Sequence, residues 1–217
     1  MNSKDISDAK QRLTALLVFL AAYCEGIRKP LGLTMLNKLL YYIDFGHYAL
    51  HQKPITQLHY TKDQYGPVPN AVVDEVGELV RQGVLTARSH RYHTVGKVGM
   101  AVGTAYTKDS PILLEVFDAD EMQTIVKTVE ALTTMTPTQI SKRSHDDYTW
   151  LHAQMHGPIP LEDAKFCDFE WLDYVADGQT TDEIERNEQL RHELEDSPEI
   201  RAIMSKIAAH YRSRPQK

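Results

Sequence analysis

Apolar residues recur at helical spacing in the first fifty residues of the chain. The first such set is Leu13, Leu16, Leu17, Leu20 and Cys24. This spacing predicts an amphipathic helix that stops near Gly26 and is closed off by Pro30. A second apolar set follows Thr34, which we expect to be the N-cap of a helix that ends before Pro54. Two helices with one buried side each are therefore predicted.

The pattern changes after Pro54, where ITQLHYTK alternates apolar and polar residues. Alternation with β-forming residues predicts a short strand at about residues 57–61. In the following QYGPVP, Pro67 and Pro69 restrict the residues before them, and Gly66 permits a turn. We therefore predict a stiff connector over residues 65–69.

A third helix is predicted from the apolar positions after Asn70, and Gly83 is expected at its C′ position. Residues 84–87 then restart as a strand. The segment 91–107 has the glycine pattern of a β-hairpin, in which Gly96 and Gly99 would allow the turn. Gly103 indicates a bulge or a close approach of the backbone.

Capping signals mark the later helices. Asp118 followed by Glu121 predicts a capping box, and Thr136 followed by Pro137 predicts the start of a short helix. The segment SHDDYTWLHAQM continues as helix. Beyond residue 177 the chain is polar, and we expect two helices there, capped by Thr181 and Ser197, that need a partner or the main body to stay folded.

The predicted fold class is mainly α with a small antiparallel β-sheet or hairpin, an α+β arrangement. We expect one domain over residues 1–177 and a helical extension over residues 178–217, acidic and then basic. Three helices followed by a strand and a hairpin also have the order of a winged helix-turn-helix. That alternative stays open.

Composition is that of an ordinary globular chain of 217 residues, with 25% charged and 42% hydrophobic residues. The longest apolar run, residues 13–24, falls short of the roughly 20 residues that a bilayer crossing needs. The N-terminus lacks the basic and small-residue features of a secretory signal. Cys24 and Cys167 lie far apart in apolar surroundings, which is typical of free thiols in a reducing compartment. A cytoplasmic protein without contact to membranes is expected.

The net charge of −6 is unevenly distributed. Residues 79–108 contain basic residues and no acidic ones, residues 162–199 are strongly acidic, and the last eighteen residues are basic again. Such segments are either solvated faces that neutralise one another or a polarised surface that steers a charged partner.

Several candidate chemistries are present but incomplete. His152 and His156 have the spacing of zinc ligands on a helix, but the glutamate of the HExxH pattern is missing. Ser144, His145 and Asp146 are sequence neighbours, which do not face one another on a helix, so helix capping by Ser144 or Asp146 is favoured over catalysis. The glycines of GKVGMAVG lack the spacing of a phosphate-binding loop. No catalytic residue, metal site or cofactor is therefore predicted.

Two segments carry a family resemblance. The stretch LNKLLYYIDFGHYALHQKPITQLHYTKDQYGPVP, residues 36–69, and ISKRSHDDYTW, residues 140–150, resemble the two signatures of the Panacea domain of SocA-like antitoxins and phage-associated proteins. The resemblance covers about residues 13–172. The matching positions, which the resemblance makes candidates for partner binding, are Lys38, Tyr41, Tyr42, Tyr65, Gly66, Pro67, Pro69, Ser144, His145 and Trp150. Tyrosine is dense in this part of the chain, where it serves either the core or an interface.

The resemblance implies a function. Members act as antitoxins in two-gene modules of the type II kind, binding a cognate protein toxin directly, and one type delivers its toxin to a Clp protease. They are not known as enzymes. We therefore expect an antitoxin whose partners are a toxin and, for an adaptor, a Clp-type protease.

Two rivals come from the residues themselves. One is a winged-helix DNA-binding regulator with Arg88, Arg91 and Lys97 on the wing and Arg81 near the third helix. The acidic pI of about 5.9 and the acids of the third helix disfavour a nucleic-acid partner. The other rival is a metal-dependent hydrolase using His152 and His156.

Overall fold

A computed structural model describes residues 3–91, 98–104 and 114–175 of the protein. Its helices are α1 (Ser3–Gly26), α2 (Leu33–His51), α3 (Val72–Arg81), α4 (Ala119–Leu132), α5 (Pro137–Asp146) and α6 (Tyr148–His152). Its strands are β1 (Leu31–Gly32), β2 (Tyr60–Asp63), β3 (Gly66–Pro69), β4 (Leu85–Arg91), β5 (Val98–Thr104) and β6 (Pro158–Ile159). Short 3-10 turns follow at Leu114–Val116, Leu161–Phe166 and Glu170–Val175. The mainly helical class with small antiparallel sheets is confirmed. The predicted C-terminal helices lie outside the described residues.

The core forms around α1 and α2. Every side chain of α1 from Leu13 to Ala22 is buried, and so is every residue of α2 from Leu39 to His47. A helix that is buried on all sides lies inside a domain, so the prediction of one buried face per helix understated their burial. The other helices pack around this pair: α3 contacts α1, whereas α4 and α5 contact α2. Among the described residues, no helix combines the length and apolar composition needed to cross a bilayer.

Most predicted helix ends are confirmed. Asp118 and Glu121 form a reciprocal capping box, Thr136 caps α5 with Pro137 in its first turn, and Gly83 follows α3 with a φ of 70°. Thr34 as the N-cap of α2 is wrong, because the extended residue Gly32 occupies that position. Gly32 pairs with Ala101 as the last residue of β1, so the sheet sets where the helix begins.

The first sheet has the strand order β1-β5-β4 and is antiparallel throughout. A β-hairpin is confirmed, but its arms are wrong in the prediction: β4 continues from the strand predicted at residues 84–87 to Arg91 and forms the first arm, paired with β5. Gly96, predicted in the turn, lies outside the described residues. Gly99 pairs with His90 inside the ladder and is not a turn residue. Gly103 pairs with Thr86 without a bulge, and a Cβ at Gly103 would lie 3.0 Å from the Thr86 Oγ1 atom, so close approach is the correct reading.

This sheet completes a recognisable topology. The order α1, β1, α2, α3, β4, β5, with β1 paired to β5, is that of a winged helix-turn-helix into which β2 and β3 are inserted. The element order and the strand pairing agree with that alternative, but α2 and α3 are not among the closely packed helix pairs, as the two helices of a helix-turn-helix would be. Function is a separate question, because one fold serves many functions.

The insertion itself belongs to a second sheet of order β3-β2-β6. The stiff connector predicted over residues 65–69 is wrong, since Gly66–Pro69 is a strand paired with Tyr60–Asp63. Prolines are tolerated there because β3 lies at the edge, where their missing N–H groups are not needed for pairing. The strand predicted at residues 57–61 begins at Tyr60 instead, and Gln57 has a φ of 61°.

Candidate functional site

Three distant segments of the chain meet at Gly66. This glycine of β3 has a φ of 100°, and a Cβ atom on it would lie 2.6 Å from the Lys38 Nζ atom of α2. The Ser144 Oγ atom of α5 would be closer still. Only glycine fits a backbone position that is both left-handed and this crowded. The meeting point of α2, β3 and α5, formed by Lys38, Gly66 and Ser144, is called the lysine centre below.

Lys38 ties two elements of the lysine centre together. Its side chain is buried, with 1% exposure, and its ammonium donates a 2.8 Å hydrogen bond to the Pro67 carbonyl oxygen. Burial lowers the pKa of Lys38 to about 8, although the carboxylates of Asp63 and Asp147 act in the opposite direction. The lysine therefore remains protonated at neutral pH inside the protein, facing two acidic groups.

A lysine beside a serine can act as the base for a nucleophile. Ser144, however, donates its hydroxyl proton to the Ser141 carbonyl oxygen at 2.8 Å, and its side chain, like that of Lys38, is closed to solvent. A substrate cannot approach the pair without displacing β3. The arrangement serves to hold β3 against α2 and α5.

Asp147 lies next to this centre, between α5 and α6. Burial raises the pKa of its carboxyl group to about 6. Tyr41 and Tyr42 favour the ionised carboxylate, yet Tyr41 bonds Thr149 at 2.6 Å, and neither the Tyr42 hydroxyl nor the Asp147 Oδ2 atom has a hydrogen bond of acceptable geometry. Asp147 is therefore a buried acid that faces the Tyr42 hydroxyl without a well-aligned hydrogen bond.

Trp150 covers the lysine centre on its outer side. Its ring stacks on His145 with centroids 4.2 Å apart, and the Lys62 Nζ atom lies 4.1 Å from the ring centroid. The indole N–H of Trp150 donates to the Asp63 carbonyl oxygen at 3.1 Å. Burial lowers the pKa of His145, and the nearby positive charge of Lys38 lowers it further. These contacts fix α6 on β2.

A family model described as antitoxin SocA-like, Panacea domain, matches residues 36–151. The chain belongs to this family. The match contains both signature segments and the whole lysine centre, and it is narrower than the span of about residues 13–172 expected from the resemblance. No curated protein and no solved structure matches the chain significantly. Membership in the SocA-like antitoxin family supports an antitoxin-like role in general.

The structure of this Panacea domain brings the signature residues together but exposes few of them. The buried ones are Lys38, Tyr41, Tyr42, Gly66, Pro67, Pro69 and Ser144. His145 and Trp150 are half-buried, whereas Tyr65 is 66% exposed. The signature therefore describes mainly the interior of the domain, and the dense tyrosines, apart from Tyr65, are largely core.

Two expectations about individual residues of the Panacea domain are wrong. Ser144 does not cap a helix, because it lies inside the last turn of α5, and Asp146 is the last residue of that helix. His152 and His156 do not share a helical face, since α6 ends at His152 and His156 follows in a turn with a φ of 62°. Within the described part of the chain, no three potential ligands are grouped as a metal site would require.

Asp44 is a second buried charge on α2; it lies in the first signature segment, which assigned it no role. Its Oδ1 atom accepts hydrogen bonds from the backbone N–H groups of Ile55 at 2.9 Å and Thr56 at 2.8 Å. Its Oδ2 atom accepts from the Tyr60 hydroxyl at 2.7 Å and from the Thr56 hydroxyl. The available signal was an aspartate among the apolar residues of a helix. We call Asp44 and its donors the aspartate centre.

Proposed function

We propose that the protein is the antitoxin of a type II-like toxin–antitoxin module and neutralises a cognate protein toxin in the cytoplasm by direct binding, without catalysis. The observation that carries this proposal is the lysine centre. Signature residues of the SocA-like family fix the β2–β3 hairpin and α6 relative to each other there. They do not form a reactive group that is open to substrate.

The surface held by this centre is the proposed contact area. Tyr65, His145 and Trp150 lie near one another, because the His145 ring stacks on Trp150 and the Tyr65 carbonyl oxygen accepts a hydrogen bond from Ser141 of α5. We call these three residues the hairpin face. Tyrosine and tryptophan are the residues that most often dominate binding energy at protein interfaces. A surface fixed before binding loses little conformational entropy when a partner docks.

Co-expression with the product of the adjacent gene tests the proposal. We expect that product to arrest growth alone, and the native protein to restore growth and to co-purify with it. Tyr65→Ala should weaken co-purification, whereas Ile27→Ala, which changes an exposed residue after α1, should not. A harmless neighbour without co-purification would refute the proposal.

Blocking and delivery are two ways in which binding could neutralise the toxin. The half-life of the toxin distinguishes them. If the antitoxin is an adaptor for a Clp-type protease, the half-life of the toxin shortens when the antitoxin is present and recovers in a strain lacking the protease. If it blocks the toxin, the half-life is unchanged while growth is restored.

We further propose that the acidic segment 162–199 supplies partner-specific contacts. Most residues of this segment lie outside the described residues. Acidic surfaces can shield a basic active site. Deleting residues 178–217 is expected to abolish protection while residues 1–177 stay folded. Unchanged protection by the shortened chain would refute the role of the extension, and unfolding of residues 1–177 would refute the proposed domain boundary.

The strand order of the first sheet favours a winged-helix DNA-binding regulator as the second candidate. Against it, the exposed side of α3 carries Asp74, and Arg81 is paired with Glu78. Arg88 on β4 lies 4.0 Å from Glu25, while the side chains of Arg91 and Lys97 lie outside the described residues. An electrophoretic shift on the protein's own upstream DNA that is lost in Arg88→Ala would reverse the ranking. Such binding would also weaken steeply with salt.

A further inference from the structure

Large exposed apolar side chains are concentrated in α6 and the segments after it. Three of the six large apolar residues that are exposed in the described part of the chain lie there: Leu151, Met155 and Phe166, which are 54%, 51% and 54% exposed. The other three lie apart from one another, after α1, between β2 and β3, and on α3. Isolated exposed apolar residues are ordinary, whereas a contiguous apolar patch usually marks an interaction surface.

Two of these residues line one cleft. It has a volume of about 420 Å³ and opens between α5, α6 and the Leu161–Phe166 turn. Its apolar wall consists of Leu151, Phe166 and Tyr148, and the ring centroids of Tyr148 and Phe166 are 4.6 Å apart. Because α6 packs against the turn, this wall is formed before anything docks on it. We call these three side chains the α6 face.

The chain around the α6 face is acidic. Asp146 and Asp168 are exposed at the rim of the cleft, and residues 161–170 contain four acidic residues against one lysine. Arg143 contributes a positive charge to the same lining, but it pairs with Glu170 at 3.3 Å. A segment that covers the apolar wall is therefore favoured when it carries basic residues beside its own apolar side chains.

The last part of the chain has the complementary sequence pattern. After the predicted helix start at Ser197, apolar residues recur at helical spacing: Ile200, Ile203, Met204, Ile207, Ala208 and Tyr211. On such a helix Arg201 and Lys206 flank the apolar side, one on each edge, and residues 200–217 contain five basic residues and no acidic one. A short helix with one apolar side is marginal in water unless that side packs on another surface.

The two parts are close enough along the chain to meet. The described residues end at Val175, seven residues after Asp168 on the rim, so they end within about 25 Å of the cleft. Residues 176–199 follow, 24 residues in all. This linker spans about 36 Å even if it is entirely helical, and more if it is extended, so the C-terminal segment reaches the α6 face.

We propose that residues 200–211 form a helix that docks on the α6 face of the same chain, with its apolar side against Leu151 and Phe166 and its flanking basic residues toward the acidic rim. Burial of the apolar wall supplies the main stabilisation, and the opposite charges set the orientation of the helix. The docked helix tethers the acidic residues 178–199 at both ends beside α6, which carries Trp150 of the hairpin face. The docking is a property of the isolated chain and does not depend on the proposed function.

Hydrogen exchange of the full chain tests the docking. In the native protein we expect the amides of residues 200–211 to exchange slowly. Leu151→Ser combined with Phe166→Ser removes the apolar wall at exposed positions and should speed this exchange about tenfold. Val73→Ser changes an apolar residue of similar exposure on α3 and should leave it unchanged. Fast exchange of residues 200–211 in the native protein, protection that survives the double substitution, or an equal effect of the control would overturn the inference.

Substitutions in the C-terminal segment test the same contact from the other side. Ile203→Ser combined with Ile207→Ser should shift the NMR signals of the Leu151 methyl groups, because the docked side chains leave that surface. Ala202→Ser combined with Ala209→Ser changes the opposite side of the predicted helix and should not shift them. Slow amide exchange in α2 verifies that each variant stays folded. Unchanged Leu151 signals in the isoleucine variant would contradict docking at this face.

Other occupants of the α6 face have distinct signatures. A second copy of the chain would make the protection of residues 200–211 depend on protein concentration, with a dimeric mass in sedimentation. A separate protein would leave those residues unprotected until the product of the adjacent gene is added. Either result would overturn the inference, whereas protection that is independent of concentration in a monomer supports it.

Discussion

The aspartate centre and the lysine centre both bury a charge on α2, but they satisfy it differently. Asp44 receives hydrogen bonds from four donors on the segment after the helix. Lys38 donates a hydrogen bond to the Pro67 carbonyl oxygen, and the nearby Tyr42 hydroxyl and Asp147 carboxylate face each other without a well-aligned hydrogen bond. A fully satisfied buried charge makes the structure around it rigid, whereas a partly satisfied one costs free energy. The contact surface that we propose, the hairpin face, lies beside the second centre.

The largest expected effect comes from a substitution that removes the acceptor of the aspartate centre. Asp44→Ala leaves the Tyr60 and Thr56 hydroxyls and two backbone N–H groups buried without an acceptor. We expect the free energy of unfolding to fall by about 3–5 kcal/mol. Urea denaturation measures it, with Asp74→Ala on the surface of α3 as the control. A loss no larger than the control would contradict the assignment of Asp44 as a structural lock.

The next largest effect is a dependence of stability on pH that comes from Lys38. In the unfolded chain its ammonium loses a proton near pH 10.5, and in the folded protein near pH 8. Between these values the unfolded chain binds more protons, so a rise in pH favours folding. Relative to Lys38→Met, the native protein should gain about 3 kcal/mol of unfolding free energy between pH 8 and pH 10.5.

Comparing the two proteins removes contributions from other titrating groups. At neutral pH, Lys38→Met should change stability little, because relief from burying a charge offsets the hydrogen bond lost at Pro67. Parallel stability curves for the native protein and the variant would show that the pKa of Lys38 is not lowered by folding.

A smaller effect tests the crowding at Gly66. Gly66→Ala places a methyl group against Lys38 and Ser144 at a left-handed position, and should cost about 2 kcal/mol. Gly77→Ala is the matched control, because no atom lies within 4 Å of its added Cβ on exposed α3. That substitution should stabilise the protein by about 0.5–1 kcal/mol, since alanine is the better helix former. Two substitutions of equal sign would contradict the proposed close approach.

The smallest expected effect concerns the outer cover of the lysine centre. Trp150→Phe keeps an aromatic ring on His145 but removes the indole N–H that bonds the Asp63 carbonyl oxygen. We expect a loss of about 1 kcal/mol in unfolding free energy. Hydrogen exchange should show faster opening of β2, with α1 as the unaffected internal reference. Unchanged protection of β2 would mean that ring stacking, and not this hydrogen bond, holds α6.

Local signals in the chain determined much of the fold. Capping at Asp118 and Thr136 and the end of α3 before Gly83 follow from interactions between near neighbours, which the sequence shows directly. The sequence also indicated a hairpin, but not that β4 is its first arm. The family resemblance likewise identified the positions that meet in the lysine centre. It did not distinguish those that lie inside the domain from those that face a partner.

Only the tertiary structure decided how distant segments use these residues. The pattern at residues 65–69 predicted a connector because prolines disfavour internal strands. A strand forms there because β3 pairs with β2 on one side only and lies at the edge of the sheet. Burial of Lys38 and Asp147 depends on β3, α5 and α6 closing over α2, across more than a hundred residues of chain. Sequence periodicity indicates whether a residue faces the core or the solvent. The hydrogen bonds and ion pairs of a buried charge depend on atoms that folding brings from distant parts of the chain.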